Sequence, residues 1–336
     1  MGSVLTRSEI GEARWNAFVD AHPGGWWFHR WEWLAYQVAR KQSEELSFGI
    51  VEGDSLVAIC PLFLEERAGV RSFTMEGHPG PVALGSERWQ AEVWRLTLER
   101  TIDRVAFRGH IRSAQVEPVV LDQYPEPPLF VWDNISWQTQ VLDLTQSESA
   151  LHAGLRHSYR SLINKATREC EIVVDREGDL IPAFRLLHIQ DAGRETRPRE
   201  TWEMQAAWCR SNNGLIVAAF RGAQMVGATY WIVYKRQAYF ASSASAEPNI
   251  THALVWRAML ELKAMGVRAL ELGWVDYPKD PPGLGKFKSG FGGEPRMIVA
   301  VEKRWNHGEG VDAPGLIQPG SRSSRDLSTK EQHGAN

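Results

Sequence analysis

Phe48-Gly-Ile-Val-Glu-Gly-Asp-Ser-Leu-Val-Ala58 reads as strand, glycine turn, strand. Apolar runs flank Gly53, and glycine takes the positive φ of a tight turn without steric cost. Val217-Ala-Ala-Phe-Arg-Gly-Ala-Gln-Met-Val-Gly227 reads the same way, with Gly222 standing 169 positions after Gly53. A second pair repeats at nearly the same distance. Val93-Trp-Arg-Leu-Thr-Leu-Glu99 and Val255-Trp-Arg-Ala-Met-Leu-Glu261 fall in amphipathic helices 162 positions apart and agree at five of seven positions. Self-similarity at a near-constant offset is the mark of duplication. Each half then runs helix, hairpin, further strand, helix, strand. Three meandering strands followed by a helix and a strand make a mixed sheet, so the fold class is α+β and not doubly wound.

The first half closes with a strand at Thr139–Leu144, after the proline-rich link Tyr124–Pro128. The second half opens with a helix capped by Ser147 or Ser149 and running to about Glu169. Helices at about 179–191 and 199–211 follow. Strands come next at Leu215–Phe220, Gln224–Tyr234 and Gln237–Ser243, then a helix at 251–265 and a strand at Ala269–Gly273. A strand at Arg296–Val301 closes the half. Asn306–Asn336 is rich in Gly, Ser, Pro and polar residues and reads as a disordered tail. The expected organisation is one domain at 1–145, a second at 146–305 that carries the site, and a tail at 306–336.

Composition narrows the function classes. The chain has 336 residues, with 38 Lys+Arg against 41 Asp+Glu, a net charge of −3 that disfavours a nucleic-acid-coating protein. Fifteen tryptophans suit wide cores and pocket walls, not a disordered chain. No charge-free apolar run reaches the ~18 residues that a spanning helix needs. Arg7, Glu9, Glu12 and Arg14 interrupt any signal-peptide pattern. Cys60, Cys170 and Cys209 are widely spaced and odd in number, as free thiols of a reducing cytoplasm would be. The sequence holds no HExxH, no zinc-spaced Cys/His set, no GxSxG elbow, no phosphate loop and no GxGxxG opening a helix. Hydrolases, NTPases and dehydrogenases lose weight, and a metal-free transferase or a binding module remains.

The most specific stretch is Leu270-Glu-Leu-Gly273-Trp274-Val-Asp276-Tyr277, continuing through a Pro/Gly loop to Gly283-Leu-Gly-Lys286-Phe287-Lys288-Ser-Gly-Phe291-Gly-Gly293. Aromatics anchor such a segment, glycines let backbone approach a ligand, and the Lys288 ammonium suits an oxyanion or a phosphate. A strand ending in Gly273 and followed by Phe-Lys-x-x-Phe-Gly resembles the C-terminal signature of FemAB-type transferases, a family of tandem GNAT folds. Leu155-Arg-His-Ser-Tyr-Arg160-Ser-Leu-Ile-Asn-Lys165-Ala is similar to the family's basic helix. Trp15…Pro23…Phe28-His29…Trp33 is similar to its N-terminal segment, and Pro79-Gly80-Pro81 to its Gly-Pro turn beside the acceptor site. The resemblance spans about 15–305. It implies two tandem GNAT-like mixed-sheet α/β/α domains. It also implies transfer of an acyl or aminoacyl group onto an amine of a peptidoglycan, polysaccharide or small-metabolite acceptor, small-molecule or lipid-linked. The donor, held only as a co-substrate, is aminoacyl-tRNA, acyl-CoA or acyl-carrier protein. Lys288 matches the motif lysine and takes the donor carbonyl or a phosphate.

Two departures bear on the donor and the base. CoA-binding GNAT domains carry a Gly-rich run whose N–H groups hold the pyrophosphate at a helix N-terminus. Here that place reads Glu247-Pro-Asn-Ile-Thr251-His252-Ala253, without glycine, and Thr251 is a candidate cap. After Pro79-Gly80-Pro81 the first acid is Glu87, so no carboxylate base is placed there. Arg156, Arg160 and Arg168 fall on one helical stripe with Lys165 beside it and no acid between, which asks for an anionic partner or for acids from elsewhere. Arg194, Arg197 and Arg199 interleave with Glu195 and Glu200, which weakens them as a phosphate site. His188 and His252 are bases by type. The candidate catalytic residue is Lys288. Candidate substrate contacts are Arg156, Arg160, Lys165, Trp274, Asp276, Tyr277, Lys286, Phe287 and Phe291. Candidate donor contacts are Ser243, Thr251 and His252. The alternative is a non-catalytic tandem GNAT binding module.

Overall fold

The computed structural model describes residues 2–67, 70–74, 84–86, 88–89, 92–93, 96, 106–109, 130–275 and 282–305. Asp276, Tyr277, Pro79-Gly80-Pro81, Trp94 and the expected tail at 306–336 lie outside the described residues.

The described elements of the first half are β1 (Ser3–Thr6), α1 (Arg7–Ile10), α2 (Glu12–Ala21), a 3₁₀ turn at Trp27–His29, α3 (Trp31–Lys41), β2 (Glu44–Glu45), β3 (Phe48–Glu52), β4 (Ser55–Cys60), β5 (Phe63–Arg67), β6 (Val70–Thr74), β7 (Leu84–Gly85), β8 (Ala106–Gly109) and β9 (Phe130–Asp143). Those of the second are α4 (Glu148–Gly154), α5 (His157–Glu169), β10 (Glu171–Asp175), α6 (Ile181–Ala192), α7 (Arg199–Arg210), β11 (Gly214–Arg221), β12 (Gln224–Tyr234), β13 (Gln237–Ser245), α8 (Ile250–Ala264), β14 (Ala269–Val275), α9 (Pro282–Ser289) and β15 (Glu294–Trp305).

The repeat is present in the backbone. In both hairpins the turn glycine has φ +59°. In both, the ladder slips at the same place: Ile50↔Ala58 gives way to Val51↔Leu56, and Ala219↔Gly227 to Phe220↔Met225. Each β-bulge inserts one unopposed residue, Val57 and Val226, and the offset of 169 carries one onto the other. β1 pairs antiparallel with β3 as β10 pairs with β11. One sheet runs β1-β3-β4-β7. The other runs β10-β11-β12-β13-β14-β9-β15-β8-β6-β5-β2, so β9 from the first half lies between β14 and β15 of the second.

Apolar residues on the two faces of the second-half strands build two cores. One contains Ile216, Tyr230 and Ile232 with Phe184, Trp202 and Trp208 of α6 and α7. Trp15, Trp27, Phe28, Trp33 and Tyr36 of the N-terminal segment close over it. The other contains Val217, Trp231 and Val233 with Leu151 of α4, Ile163 of α5 and Leu254, Val255 and Leu262 of α8. Burial on both faces explains the unbroken apolar run of β12, where alternation is lost.

Three expectations change. The helix read from Ser147 to Glu169 is two helices: Ser147 caps the first, Leu155 is extended after it, and Arg156 stands at the N-cap of the second. Leu155 turns into the core and the Arg156 N–H donates to the Gly290 carbonyl at 2.8 Å, so tertiary contacts outweigh helical continuation. The five-residue strand β10 lies where the reading has only a link between helices. The loop read through Lys286–Ser289 is helical, starting at Pro282. A proline suits the first helical position because its missing N–H has no partner there anyway.

Candidate active site

β13 and β14 run parallel and pair at Gln237↔Ala269, Ala238↔Leu270 and Tyr239↔Glu271, and no further. Both strands continue, to Ser245 and Val275. They part because each is bulged away from the other. β13 carries Ala241 unopposed between Tyr230↔Ser242 and Trp231↔Phe240. β14 slips against β9 between Glu271 and Trp274, with Gly273 at φ +78°. Only glycine takes that φ without strain, and here it also lets the Tyr239 hydroxyl and the Lys288 amine approach: a Cβ would lie 3.1 Å and 3.4 Å from them. Thr139 on β9 locks the bulge by donating its hydroxyl to the Gly273 carbonyl at 3.1 Å.

Lys288 reaches this wedge from α9. Its side chain is buried, and its Nζ donates to the Trp274 carbonyl at 2.7 Å. An ammonium taken out of bulk water acts at lower effective dielectric and exerts a stronger field on a nearby oxyanion. Phe287 and Phe291 flank it and face the second core, not the open cleft. Their rings lie 5.1 Å apart, and His252 and Tyr159 complete the cluster. Lys286 is exposed and contributes its carbonyl to Tyr159.

The α8 end of the wedge differs from a glycine nest. Asn249, at φ +66°, occupies the N-cap position, and Thr251 lies half-buried in the first turn instead of capping it. Ser245 and Glu247 close a turn on themselves: the Ser245 hydroxyl donates to the Glu247 carbonyl and accepts from the Glu247 N–H. The Glu247 carboxylate pairs with Arg221 at 2.9 Å, which holds it below its ordinary pKa and therefore charged two residues before the cap. Ser243 is half-buried on β13, on the α8 side by strand alternation. His252 donates from Nδ1 to the Asn249 carbonyl at 2.9 Å, and burial pushes its pKa down.

The basic helix divides. Arg156 sits 5.3 Å over the Tyr159 ring, beside the segment that carries Lys288. Arg160 turns back and donates to the Ala153 and Leu155 carbonyls, at 2.6 and 3.3 Å, closing the end of α4. Lys165 is exposed about two and a half turns beyond Arg156, and Arg168 lines a groove with Trp256 and Arg257. Lys288, Trp274, Phe287, Phe291 and His252 are thus brought together, and Lys165 is not among them.

On the opposite face of β13 stands a group that the reading undervalues. Arg197 stacks 3.7 Å over the Trp202 ring. It donates to the Tyr36 hydroxyl at 3.2 Å and to the Ser242 hydroxyl at 3.4 Å. Burial pulls its pKa down, and among the described residues no carboxylate is a cause of its shift. Glu195, two positions before it in the sequence, pairs with Arg185, and Arg199 pairs with Glu203. Its Nε is buried without a hydrogen-bond partner among the described residues. Tyr36 and Ser242 carry no local signal, because they meet Arg197 only through the fold.

No family model matches the chain, and no curated protein matches it in sequence. Among solved structures, FemX superposes at TM-score 0.64 with 11% identity, covering 90% of this chain and 97% of that one. The L-PGS of Bacillus licheniformis does so at 0.57 with 11% identity, covering 90% and 93%. A tandem GNAT protein from the clavulanic acid biosynthesis pathway does so at 0.52 with 13% identity, covering 90% and 98%. The fold is that of the FemX-like tandem GNAT proteins. In this tandem GNAT frame the wedge lies in the second repeat, between its last two parallel-paired strands. Among the described residues no helix is long and apolar enough to cross a membrane.

Proposed function

We propose that the chain is an N-acyltransferase that moves an acyl or aminoacyl group from an activated donor onto an amine of an acceptor bearing negative charge. The observation that carries this reading is the buried Lys288 ammonium, held on the Trp274 carbonyl where β13 and β14 part. The acceptor's neutral amine attacks the donor carbonyl carbon. A C–N bond forms and the carbonyl π electrons move to oxygen, beside the positive charge of Lys288. Collapse breaks the donor C–O or C–S bond, and the proton lost by the amine ends on the leaving group. Proximity and charge stabilisation suffice, so no covalent nucleophile enters.

The α8 end supports aminoacyl-tRNA or acyl-carrier protein over acyl-CoA. A charged Glu247 and a self-closed Ser245 turn stand where a pyrophosphate would need open N–H groups. Arg197, Tyr36 and Ser242 support an acceptor with a phosphate or carboxylate, because a half-buried guanidinium with no acid beside it among the described residues calls for an anion. Cell-wall precursors, other glycan-linked amines and anionic metabolites fit that description. The likeness in fold to FemX, L-PGS and the tandem GNAT protein agrees with acyl-group chemistry.

The test offers the purified chain acetyl-CoA, longer acyl-CoAs, loaded carrier protein and charged tRNA with mixed amines, and follows acceptor mass. Consumption of a donor with acylated product is expected, and Lys288→Ala should lower kcat by roughly 10²–10³, the scale of losing one oxyanion contact. No donor consumption by the wild-type chain would favour the non-catalytic binding module.

A further inference from the structure

Lys288 depends on how α9 is held, and α9 is weak by itself. It has eight residues, including Gly283 and Gly285, and isolated helices of that length are marginal in water. Its final carbonyls are closed only by tight local bonds: the Gly290 N–H donates to the Phe287 carbonyl at 3.2 Å, the Phe291 N–H to the Lys288 carbonyl at 3.3 Å, and the Ser289 hydroxyl to the Lys286 carbonyl at 3.3 Å. Two groups from α5 and its N-cap add bonds from outside the helix. The Tyr159 hydroxyl donates to the Lys286 and Phe287 carbonyls, at 3.2 and 3.1 Å, sharing one proton between them. The Arg156 N–H takes the Gly290 carbonyl at 2.8 Å. Lys288 lies between these two ties.

The packing around the tie is close. The Tyr159 ring stands 4.3 Å from that of His252 and 5.1 Å from that of Phe291. A Cβ on Gly290 would fall on the Tyr159 ring, so glycine is what lets the chain pass. Burial raises the Tyr159 pKa, which keeps the phenol protonated as a donor. The hydroxyl therefore does more than fill space: it sets the height and rotation of α9, and with them the place of the Lys288 amine at Trp274.

We propose that Tyr159 is a positioning residue for Lys288, acting through the carbonyls of α9. The kinetic consequence rests on the acyl-transfer reading; the placement of the amine does not. Tyr159→Phe keeps the ring contacts and removes only the hydroxyl. Its expected effect is a fall in kcat of about tenfold, the size of one lost hydrogen bond, with KM changed less than about twofold. In a Lys288→Ala background the same substitution should cost nothing further, because residues acting through one group are not additive. An equal loss in both backgrounds would overturn the proposal, as would a kcat unchanged in Tyr159→Phe.

A second measurement is independent of turnover. Lysines are ¹³C-methylated and observed by NMR, with Lys288→Ala assigning the resonance. The Lys288 signal should be separate in the wild-type chain and move to the exposed-lysine position in Tyr159→Phe. Ile163→Val, which loosens α5 without touching the hydroxyl, should leave it in place. An unmoved signal in Tyr159→Phe, or an equal shift in Ile163→Val, would overturn the proposal. A wild-type chain that transfers no acyl group but shows the expected NMR shift defeats the acyl-transfer reading alone.

Discussion

Arg197 carries a charge that is half removed from water with no counter-charge beside it among the described residues. Stacking on Trp202 and two neutral hydroxyls hold its plane and its two Nη atoms but leave Nε and the charge uncompensated among the described residues. A bound anion would complete it. If the acceptor carries that anion, Arg197→Met should raise the acceptor KM about 10–100-fold, the range of one charged hydrogen bond at roughly 1.5–3 kcal/mol. The donor KM should stay within about twofold. The substitution should also flatten the salt dependence of acceptor KM, which initial rates at several ionic strengths would read. Equal effects on both substrates would assign Arg197 to folding instead. Lys288 is legible in the sequence because its flanking aromatics and glycines form a local pattern. Arg197 is not: its partners Tyr36 and Ser242 come from distant parts of the chain, and its apparent neutraliser Glu195 is diverted to Arg185.

At the scale of elements, local pattern and tertiary contact divide the outcome. The hairpins around Gly53 and Gly222 follow from apolar runs and a turn residue, and their boundaries agree with the reading to within a few residues. The helix through Leu155 and the loop through Lys286 do not, because the Gly290 carbonyl and the Tyr159 hydroxyl decide those segments from far away in sequence. Where α8 meets this cluster, His252 makes a prediction in pH. Burial lowers its folded pKa below the ordinary 6.5. Below that value the unfolded chain gains a proton that the folded chain refuses, so stability is full above it and falls as pH falls through and below 6.5. His22 shifts in the same direction through burial and Lys235. Thermal melts from pH 7.5 to 5.5 should show Tm falling on the acid side, and His252→Gln should remove part of that slope and leave the part due to His22. A slope unchanged by the substitution would place the acid sensitivity elsewhere.

At the scale of the whole molecule, residues 1–305 form one compact unit. β9 supplies the strand between β14 and β15, pairing with β15 from Glu294↔Val141 to Trp305↔Phe130. The N-terminal segment covers the α6–α7 face: Trp27 meets Trp208 at 5.2 Å and Phe28 meets Tyr239 at 5.4 Å. Lys235, on the turn after β12, donates to the Val19, His22 and Gly25 carbonyls at 3.3, 3.1 and 3.4 Å, and the Tyr234 hydroxyl bonds Asp20. A fragment of 146–305 would keep Lys288 and most of the wedge. It would lose Thr139, leave β14 and β15 without the strand between them, and expose Trp208, Tyr234 and Tyr239 to water. Each large side chain so exposed forfeits about 1.5–3 kcal/mol, and two or three such losses match the ~5–15 kcal/mol by which a domain is stable. The full chain should therefore unfold in one transition, with far-ultraviolet circular dichroism and tryptophan fluorescence coincident. The fragment should show no cooperative melt. A fragment that melts sharply with a native near-ultraviolet spectrum would instead make the second repeat an independent domain, and would move the origin of the cleft's rigidity from the shared sheet to the repeat itself.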